Sequence, residues 1–421
     1  MPLGFFPSNI SAYILRSYLI EQVRAIPRYP EMLMPKSFTD SLDIERKRIG
    51  LIGSGFISKG LIMLIEQRDN LQLHRILTRS RIKERRDFPR CDLLTNSPED
   101  LLDGADLIVE ASGDICNSTA VLKMALERSI PVVTMNAELQ ITTGSYLAGK
   151  GFITEAEGDQ PGCLAALREE VLQMGLSPLV YGNLKNFLNH NPTLEEMRFW
   201  ARKSGNSVEN ITSFTDGTKV QIEQALVANG LGADIIKPGL CGLARDSVEA
   251  GGIELAERAK ALGKPVSDYL LSAKIPPGVF VTAECDPCHK VYLRYYKMGE
   301  GPYYTLVRNY HLCHFEAMKT IDRVLAGGRV LINNSLRPRI SVATIAKRDL
   351  PAGYVIKKAI GSFDMRGEAV NIADQPDHIP IGLVQNARLE EDIRAGEMIS
   401  FDRASIPESL ALRCWEKSRG I

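Results

Sequence analysis

The sequence has no apolar run of about 18 residues, the length that a membrane-spanning helix needs. Its first residues also lack the basic segment and the apolar segment of an export signal. The sequence also has no excess of positive or negative charge, because 51 Lys and Arg balance 51 Asp and Glu. Without an excess of positive charge there is no overall field to attract nucleic acid. These absences predict a cytoplasmic protein that binds neither membranes nor nucleic acid.

Cysteine is sparse, with eight residues dispersed over 421. A chain of this length buries its own core without covalent cross-links, so we expect reduced thiols rather than a disulfide framework. The length also exceeds what one hydrophobic core supports, and it predicts two or three domains. Composition alone therefore indicates an ordinary soluble globular protein with more than one domain.

The pattern along the chain predicts an α/β protein with five regions. Short apolar runs at 48–52, 71–77, 105–110 and 131–135 alternate with helical stretches, which is typical of a Rossmann-type doubly wound parallel sheet. An α+β substrate domain and a small β-rich domain with turn signals are expected to follow it. The predicted regions are an N-terminal arm (1–46) with a helix at 11–25, a nucleotide-binding domain (47–150), a catalytic, substrate and assembly domain (151–337), a β-rich domain (338–406) and a tail (407–421).

Inside the substrate domain, periodicity separates helices from strands. Helical spacing of apolar residues predicts helices at 162–174, 194–203, 217–229 and 312–326. Shorter apolar runs predict strands at 179–181, 279–282 and 291–296.

The strongest chemical signal is a glycine-rich turn between the first strand and a helix. It reads Gly53, Ser54, Gly55, Phe56, Ile57 and Ser58. Gly53 permits the tight turn, Gly55 lets the backbone approach a pyrophosphate, and free N–H groups at the helix start bind the anion. Ser58 is small enough to replace the third glycine. The motif in this context predicts a dinucleotide site.

The end of the second strand predicts which dinucleotide is bound. Thr78, Arg79 and Ser80 occupy the place where an NAD enzyme carries an acidic residue for the ribose hydroxyls. Arg79 and the two hydroxyls suit a 2′-phosphate, so NADP(H) is the predicted cofactor, although Arg79 also fits a solvated loop charge. Further loops expected beside the nicotinamide ribose hold Ala111, Ser112, Gly113 and Asn136.

One predicted helix carries several candidate catalytic groups. Asp216, Lys219 and Glu223 are spaced by three and four residues, which places them on one face of a predicted helix. On that face Lys219 would give a proton to a carbonyl oxygen as the carbon accepts hydride, and Asp216 would hold the ammonium. The alternative is a helix cap followed by a surface ion pair.

Other polar residues follow strands at the edge where α/β proteins gather ligands. Lys185 is a second candidate acid, and Asn183, Glu138 and Asp159 are candidate substrate ligands. Asp159 also precedes Pro161 at a predicted helix start, so it suits a capping role equally well.

Cysteine and histidine cluster in two phrases, at 285–289 and 310–316. His311 is a candidate substrate or divalent-cation ligand, and its alternative is a structural histidine. A tetrahedral zinc site from Cys285, Cys288 and two residues of the second phrase is a further alternative, although no second close cysteine pair completes the usual spacing.

Taken together, these motifs resemble a family. The nucleotide domain resembles that of homoserine dehydrogenases at residues 53–58, 106–113 and 132–137. Ala137 and Glu138 stand where those enzymes usually carry Lys after the Asn, which argues against homoserine itself as the substrate. The subgroup that the chain most resembles has a C-terminal SAF domain and includes the bacterial DXR-like enzyme of the methylerythritol phosphate pathway. The phrases that support this are 157–162, 213–219, 297–302, 310–312, 346–353 and 392–396.

The resemblance implies reduction of a carbonyl by NADPH on a small polar substrate, in a homodimer or higher homo-oligomer. By analogy with 1-deoxy-D-xylulose 5-phosphate reductoisomerase-like enzymes, it also implies a phosphorylated substrate and an isomerisation before the reduction. A divalent cation, Mg²⁺ or Mn²⁺, is then a second candidate cofactor. The alternatives are a semialdehyde reductase of the homoserine dehydrogenase type and a non-catalytic sensor of NADP(H) or sugar.

Overall fold

The alternating strands and helices of the nucleotide domain form one parallel sheet. The computed structural model describes residues 46–86 and 88–419, so the predicted helix at 11–25 lies outside the described residues. The sheet has six strands in the order β3-β2-β1-β4-β5-β6. They are β1 (Lys47–Ile52), β2 (Leu71–Leu77), β3 (Leu94–Thr95), β4 (Leu107–Glu110), β5 (Val132–Thr134) and β6 (Ile153–Glu155). This strand order confirms the predicted Rossmann-type fold.

The helices of this domain connect the parallel strands. They are α1 (Phe56–Glu66), α2 (Pro98–Leu102), α3 (Ile115–Glu127), α4 (Ala137–Leu139) and α5 (Ser145–Ala148), with a π-helical segment Gln140–Gly144 between the last two. Since every strand is parallel, the carboxyl ends of β1, β4, β5 and β6 meet at one edge of the sheet. Ligands of doubly wound proteins bind outside that edge.

The substrate domain is built on a mixed sheet of five strands in the order β11-β10-β7-β9-β8. The strands are β7 (Ser177–Lys185), β8 (Leu243–Ala244), β9 (Val266–Leu271), β10 (Gly278–Glu284) and β11 (Tyr303–Arg308). Its helices are α6 (Gln160–Gln173), α7 (Leu194–Ser204), α8 (Val208–Thr215), α9 (Thr218–Leu231), α10 (Val248–Leu262), α11 (Lys290–Tyr295) and α12 (His314–Leu325). None of the described helices is long and apolar enough to cross a membrane.

One predicted element of this domain is wrong. Residues 291–296 were expected to form a strand, and the structure has helix α11 there. Asp286 accepts a hydrogen bond from the N–H of Cys288 at 2.8 Å, and Pro287 begins a 3-10 turn that leads into the helix. The alternation of apolar residues was misleading because no residue of α11 is buried, so no sheet face selects it.

The C-terminal region contains the predicted short strands. β12 (Ile340–Ala346) pairs antiparallel with β13 (Met365–Asn371), and β14 (Arg388–Leu389) pairs antiparallel with β15 (Ala404–Ser405). Helix α13 (Leu410–Arg419) ends the described chain. Apolar residues of these elements form one hydrophobic core with Val220 and Ile222 of α9. Helix α9 therefore belongs to the substrate domain in sequence and is buried against the C-terminal strands.

Candidate active site

The glycine turn at the end of β1 has the geometry of a pyrophosphate cradle. Gly53 has a φ of +107°, and a Cβ there would lie 2.9 Å from the carbonyl oxygen of Ala111. A Cβ on Gly55 would meet nothing within 4 Å, so the space before helix α1 is open. Within 46–86 and 88–419 no side chain caps the N-terminus of α1, which leaves its first N–H groups available to an anion.

A cleft of about 430 Å³ opens beside this turn. Its lining includes many of the predicted cofactor residues, namely Gly53, Ser54, Gly55, Thr78, Arg79, Ser80 and Ser112. Phe56 lies outside the cleft and its ring is exposed against His314. Four other predicted cofactor residues are also absent from the lining: Ile57, Ala111, Gly113 and Asn136.

The end of β2 is a polar, cationic corner of the cleft. The hydroxyls of Ser54 and Thr78 lie 2.9 Å apart. Arg85, which sequence reasoning missed, donates to the Ser54 hydroxyl at 2.9 Å and to the Ser54 carbonyl at 2.7 Å. Its guanidinium also lies 3.5 Å from the Ser80 hydroxyl. Arg85 enters the cleft from a short 3-10 turn, and only the fold places it beside Ser54.

Arg79 lies on the same side of the cleft and is 71% exposed. Its guanidinium pairs with Asp114, the residue that caps helix α3. Among the described residues that line the cleft, none is Asp or Glu. The corner therefore has cations and hydroxyls, and no acidic residue among its described lining to repel a phosphate.

A buried carboxylate organises the loops after β4 and β5. Glu110, the last residue of β4, is fully buried and accepts hydrogen bonds from the Ser112 N–H at 2.9 Å and its hydroxyl at 2.5 Å. Ser118 and Thr134 donate to it at 2.9 Å and 3.0 Å, and the amide of Asn136 lies at 3.4 Å. Burial raises the pKa of Glu110, and the donors from Ser112, Ser118 and Thr134 oppose that shift. Glu110 thus holds the predicted loops in place without touching the cleft.

The same network leads to Lys219. Asn136 accepts a hydrogen bond from the N–H of Leu139 at 3.0 Å and so caps the short helix that carries Glu138. The carboxylate of Glu138 lies 3.1 Å from the Lys219 ammonium, and that of Asp159 lies 3.7 Å from it. The Lys219 side chain is only 13% exposed. The structure thus brings together three predicted site residues from three separate elements.

The electrostatics of Lys219 favour its charged form. Burial acts against the charge, but the carboxylates of Asp159, Glu138 and Glu223 outweigh it and raise the pKa of Lys219 well above its usual value. The Lys219 amine is therefore protonated at neutral pH. A protonated amine has a proton to donate and no lone pair for nucleophilic attack.

Glu223 is the centre of a second group of side chains in the same cluster. Asn183 donates to it at 2.8 Å, and Lys185 donates at 3.1 Å. In the amide orientation that satisfies its hydrogen bonds, the Gln160 nitrogen lies 3.2 Å from Glu223 and 2.9 Å from Asp159 and links the two carboxylates. Burial raises the pKa of Glu223, and Lys185 opposes that shift. All four predicted residues of this group, Lys185, Asn183, Glu223 and Asp159, therefore lie in one network.

Glu155, at the end of β6, is a member of the cluster that sequence reasoning missed. Its side chain is fully buried, and neither carboxyl oxygen has a hydrogen-bond partner among the described residues. Burial, and then the nearby charge of Asp159, raise the pKa of Glu155 well above its usual value, while Lys219 opposes the shift. These conditions favour the neutral acid. The signal available in the sequence was its position, two strands along from Glu110 at the same sheet edge.

Asp216 is not brought to Lys219. It ends helix α8 rather than belonging to α9, so the predicted shared helix face holds for Lys219 and Glu223 alone. Its carboxylate accepts from the Thr218 N–H at 2.8 Å and from the Lys347 ammonium at 2.5 Å. Spacing alone misplaced Asp216 because the chain turns at Gly217, where φ is +85°.

His311 lies at the rim of the cluster, where its ring is 3.4 Å from the side chain of Gln160. Two contacts hold its loop. The N–H of Leu312 donates to Glu316 at 2.7 Å, and the backbone of Cys313 packs directly on Gly158. A Cβ on Gly158, where φ is +98°, would lie 2.0 Å from the Cys313 carbonyl oxygen. Only glycine permits this approach, which places His311 beside the start of helix α6.

The arrangement does not fit a divalent cation. No group of three or more His, Cys, Asp or Glu side chains within 46–86 and 88–419 is arranged to hold a metal ion. The ammonium of Lys219 occupies the place between Glu138 and Asp159 that a cation would need. The same finding leaves the alternative zinc site at Cys285 and Cys288 without support among the described residues.

Comparison with known proteins addresses the chemistry of this site. Residues 158–317 match the family model described as the catalytic domain of oxidoreductase DRL. That stretch contains Asp159, Lys185, Lys219, Glu223 and His311. The chain is an oxidoreductase. Its Rossmann-type domain and open glycine cradle imply a nicotinamide cofactor for the enzyme.

Several solved structures with a similar fold are described as dehydrogenases. A homoserine dehydrogenase from S. aureus has a TM-score of 0.39 at 13% identity and covers 77% of this chain and 93% of its own. A probable dehydrogenase from Thermotoga maritima has a TM-score of 0.38 at 12% identity, covering 68% and 91%. A myo-inositol dehydrogenase from Corynebacterium glutamicum has a TM-score of 0.38 at 14% identity, covering 68% and 90%. Identities and TM-scores this low carry no information about the substrate. No curated protein matches the sequence of the enzyme.

Proposed function

We propose that the enzyme uses NADPH to reduce a carbonyl group of a small polar substrate, with Lys219 as the proton donor. The observation that carries this proposal is a buried ammonium among carboxylates at the carboxyl edge of the nucleotide-binding sheet. It is linked through Glu138 and Asn136 to the Glu110 network that holds the cofactor loops. A non-catalytic sensor of NADP(H) has no need of a buried proton donor there.

Each residue of the cluster has a part in this chemistry. When bound, NADPH supplies a hydride to the carbonyl carbon. Lys219 donates its proton to the carbonyl oxygen, so that an alcohol forms. Glu138 and Asp159 hold the ammonium in position, and they compensate its charge before the proton leaves. Lys185 and Asn183 orient Glu223, which accepts a hydrogen bond from a substrate hydroxyl.

The charges of the cluster limit the classes of substrate that would bind favourably. Two lysines, Lys185 and Lys219, face three carboxylates from Glu138, Asp159 and Glu223. The surplus of negative charge favours a hydroxylated substrate without a phosphate, or one that bears an ammonium group. An amino-substituted semialdehyde, as in a homoserine dehydrogenase-type reaction, satisfies the second condition. A phosphorylated ketose that isomerises before reduction is the competing possibility that the resemblance implies.

A screen of NADPH oxidation separates these substrates. It compares ketoses and aldehydes with their phosphorylated counterparts, together with amino semialdehydes, in the presence and absence of Mg²⁺ or Mn²⁺. We expect turnover of unphosphorylated or amine-bearing compounds with no cation requirement. Turnover confined to phosphorylated ketoses in the presence of a cation would contradict the charge argument and favour the reductoisomerase reaction.

We propose NADPH rather than NADH because two arginines meet at the cofactor corner. Replacing Arg85 with Ala should weaken NADPH binding about 10- to 100-fold, since a charge-assisted hydrogen bond contributes about 1.5–3 kcal/mol. NADH binding should change little. Arg79→Ala should have a smaller effect, because Asp114 already pairs with that side chain. Fluorescence titration of both nucleotides measures these affinities.

The matched control is Arg81→Ala, which removes an exposed arginine from the same loop without touching the cleft. It should bind both nucleotides like the wild type. Equal losses of NADPH and NADH affinity in Arg85→Ala would mean that Arg85 supports the fold of the cleft and does not read the 2′-phosphate.

We also propose that the enzyme is a homodimer or higher homo-oligomer. Helix α11 and the residue after it support this with three exposed aromatic side chains, Tyr292, Tyr295 and Tyr296. Exposed aromatic clusters are common where copies of a chain meet. Light scattering should therefore give a mass at least about twice the 46.6 kDa of one chain; a monomeric mass would refute the proposal.

A further inference from the structure

Helix α9 carries Lys219 and Glu223 into the cluster, and its opposite side is attached to the C-terminal strands. The N–H of Gly367, on β13, donates to the Thr218 hydroxyl at 2.9 Å. The N–H of Ala369, on the same strand, donates to the Gln221 side chain at 2.9 Å. Two backbone groups of one strand therefore determine the rotation of the first turn of α9.

A buried ion pair completes this attachment. The Lys347 ammonium, which follows β12, lies 2.5 Å from the Asp216 carboxylate and donates to the Ser362 carbonyl at 2.7 Å. The two side chains are 3% and 0% exposed. The other oxygen of Asp216 accepts from the Thr218 N–H at 2.8 Å, directly before Lys219. The pair thus connects the C-terminal region to the N–H that starts the helix.

We propose that Lys347 and Asp216 are positioning residues that hold the first turn of α9, and with it the Lys219 ammonium, against Glu138. The proposal rests on the proposed role of Lys219. It assigns Asp216 a task different from clamping the substrate, and it gives the C-terminal region a part in building the active site. A buried pair of this kind is costly to break, because the remaining charge has no partner.

Burial lowers the pKa of Lys347, and Asp216 opposes that shift. Arg366 and Asp364 are the other charged groups that face the Lys347 ammonium. In the described part of the chain Asp216 is the one carboxylate bonded to Lys347. Breaking this pair therefore leaves the remaining charged side chain without an ionic partner.

Chemical labelling tests the proposal without knowledge of the substrate. The full-length protein is treated with N-hydroxysuccinimide acetate, and the acetylation rate of each lysine is followed by peptide mass spectrometry. In the wild type we expect slow labelling of Lys219, since its ammonium is buried and paired with Glu138. In Lys347→Met the labelling of Lys219 should be at least about tenfold faster, because the first turn of α9 opens locally.

Two variants provide the comparison. Lys358→Met removes another lysine of the C-terminal region, one that forms an exposed pair with Glu209 of α8 at 2.7 Å, and it should leave Lys219 labelling unchanged. Lys347→Arg keeps the cation and should retain most of the protection. Unchanged Lys219 labelling in folded Lys347→Met would overturn the proposal, as would equal acceleration in Lys358→Met.

The fold and the cofactor site are checked separately. Lys347→Met should bind NADPH as the wild type does, because no described residue of the C-terminal region lines the nucleotide cleft. If that variant does not fold, Thr218→Val decides instead, since it removes the acceptor of the Gly367 N–H without leaving a buried charge. Unchanged Lys219 labelling in folded Thr218→Val would then refute the proposal. Failure of the wild type to bind NADPH would refute the proposed function, whereas the labelling rates would still show whether Lys347 and Asp216 hold Lys219 in place.

Discussion

Replacing Lys219 with Met is expected to lower kcat by about 10²–10⁴, the usual cost of losing a positioned general acid. The variant should keep its affinity for NADPH, because Lys219 belongs to helix α9 and does not line the nucleotide cleft. Met fills the volume of the side chain but leaves Glu138 and Asp159 without the ammonium between them. NADPH oxidation with a substrate from the screen gives kcat, and fluorescence titration gives the cofactor affinity.

Lys260→Met is the matched control, because that lysine forms an exposed ion pair with Glu284 on the substrate domain. It should have wild-type kcat and wild-type NADPH affinity. A wild-type kcat in Lys219→Met would remove Lys219 from the mechanism and leave Lys185 as the remaining candidate acid of the cluster. A loss of NADPH affinity equal to the loss of kcat would instead indicate a structural role.

Acidification is expected to destabilise the C-terminal region through one buried histidine. His378 is 1% exposed and packs edge-on against Trp415 with ring centroids 5.7 Å apart, and within the described part of the chain its Nε2 atom has no partner. Burial lowers its pKa from 6.5 to about 4. Between these two pH values the unfolded chain binds a proton that the folded chain does not bind. The neutral imidazole of His378 therefore makes its full contribution to the free energy of unfolding above pH 6.5. That contribution decreases by about 3 kcal/mol as the pH falls to 4.

Urea unfolding at pH 7.5 and at pH 4.5 measures this effect. His378→Asn keeps a donor for the carbonyl of Gln375, which His378 contacts at 2.5 Å, and it should show a smaller loss of unfolding free energy on acidification than the wild type. His289→Asn, at an exposed position, should behave like the wild type. If His378→Asn loses as much stability as the wild type, other groups must cause the acid sensitivity.

The local sequence pattern was sufficient to predict the strands and the glycine turn of the nucleotide domain. The strands at 71–77 and near 48–52 are short apolar runs, and the glycine turn directly follows β1, so period and turn chemistry predict both. Helix α11 shows where local pattern fails, because its alternating apolar residues contact no sheet. The amphipathic rule holds only where a buried face selects the conformation.

The residues of the candidate cluster could be named from the sequence, but their partners could not. Lys185 and Glu223 follow from their places at a strand end and on a helix face. The bond between them joins positions 38 residues apart, and the bond from Lys219 to Glu138 spans 81. Such distances along the chain carry no local signal, since the first pairing depends on how a helix packs on a strand of its own domain and the second on how two domains pack.

The sequence by itself determined the fold class, the glycine turn and the residue types that gather at the strand ends, because short-range sterics and hydrophobic period govern those features. Only the tertiary structure decided that Asp216 pairs with Lys347, that Arg85 enters the nucleotide cleft and that Glu110 and Glu155 are buried. Each of these depends on contacts between segments distant in sequence. The energy of a charged side chain is set by which groups surround it after folding, and no spacing along the chain specifies that environment.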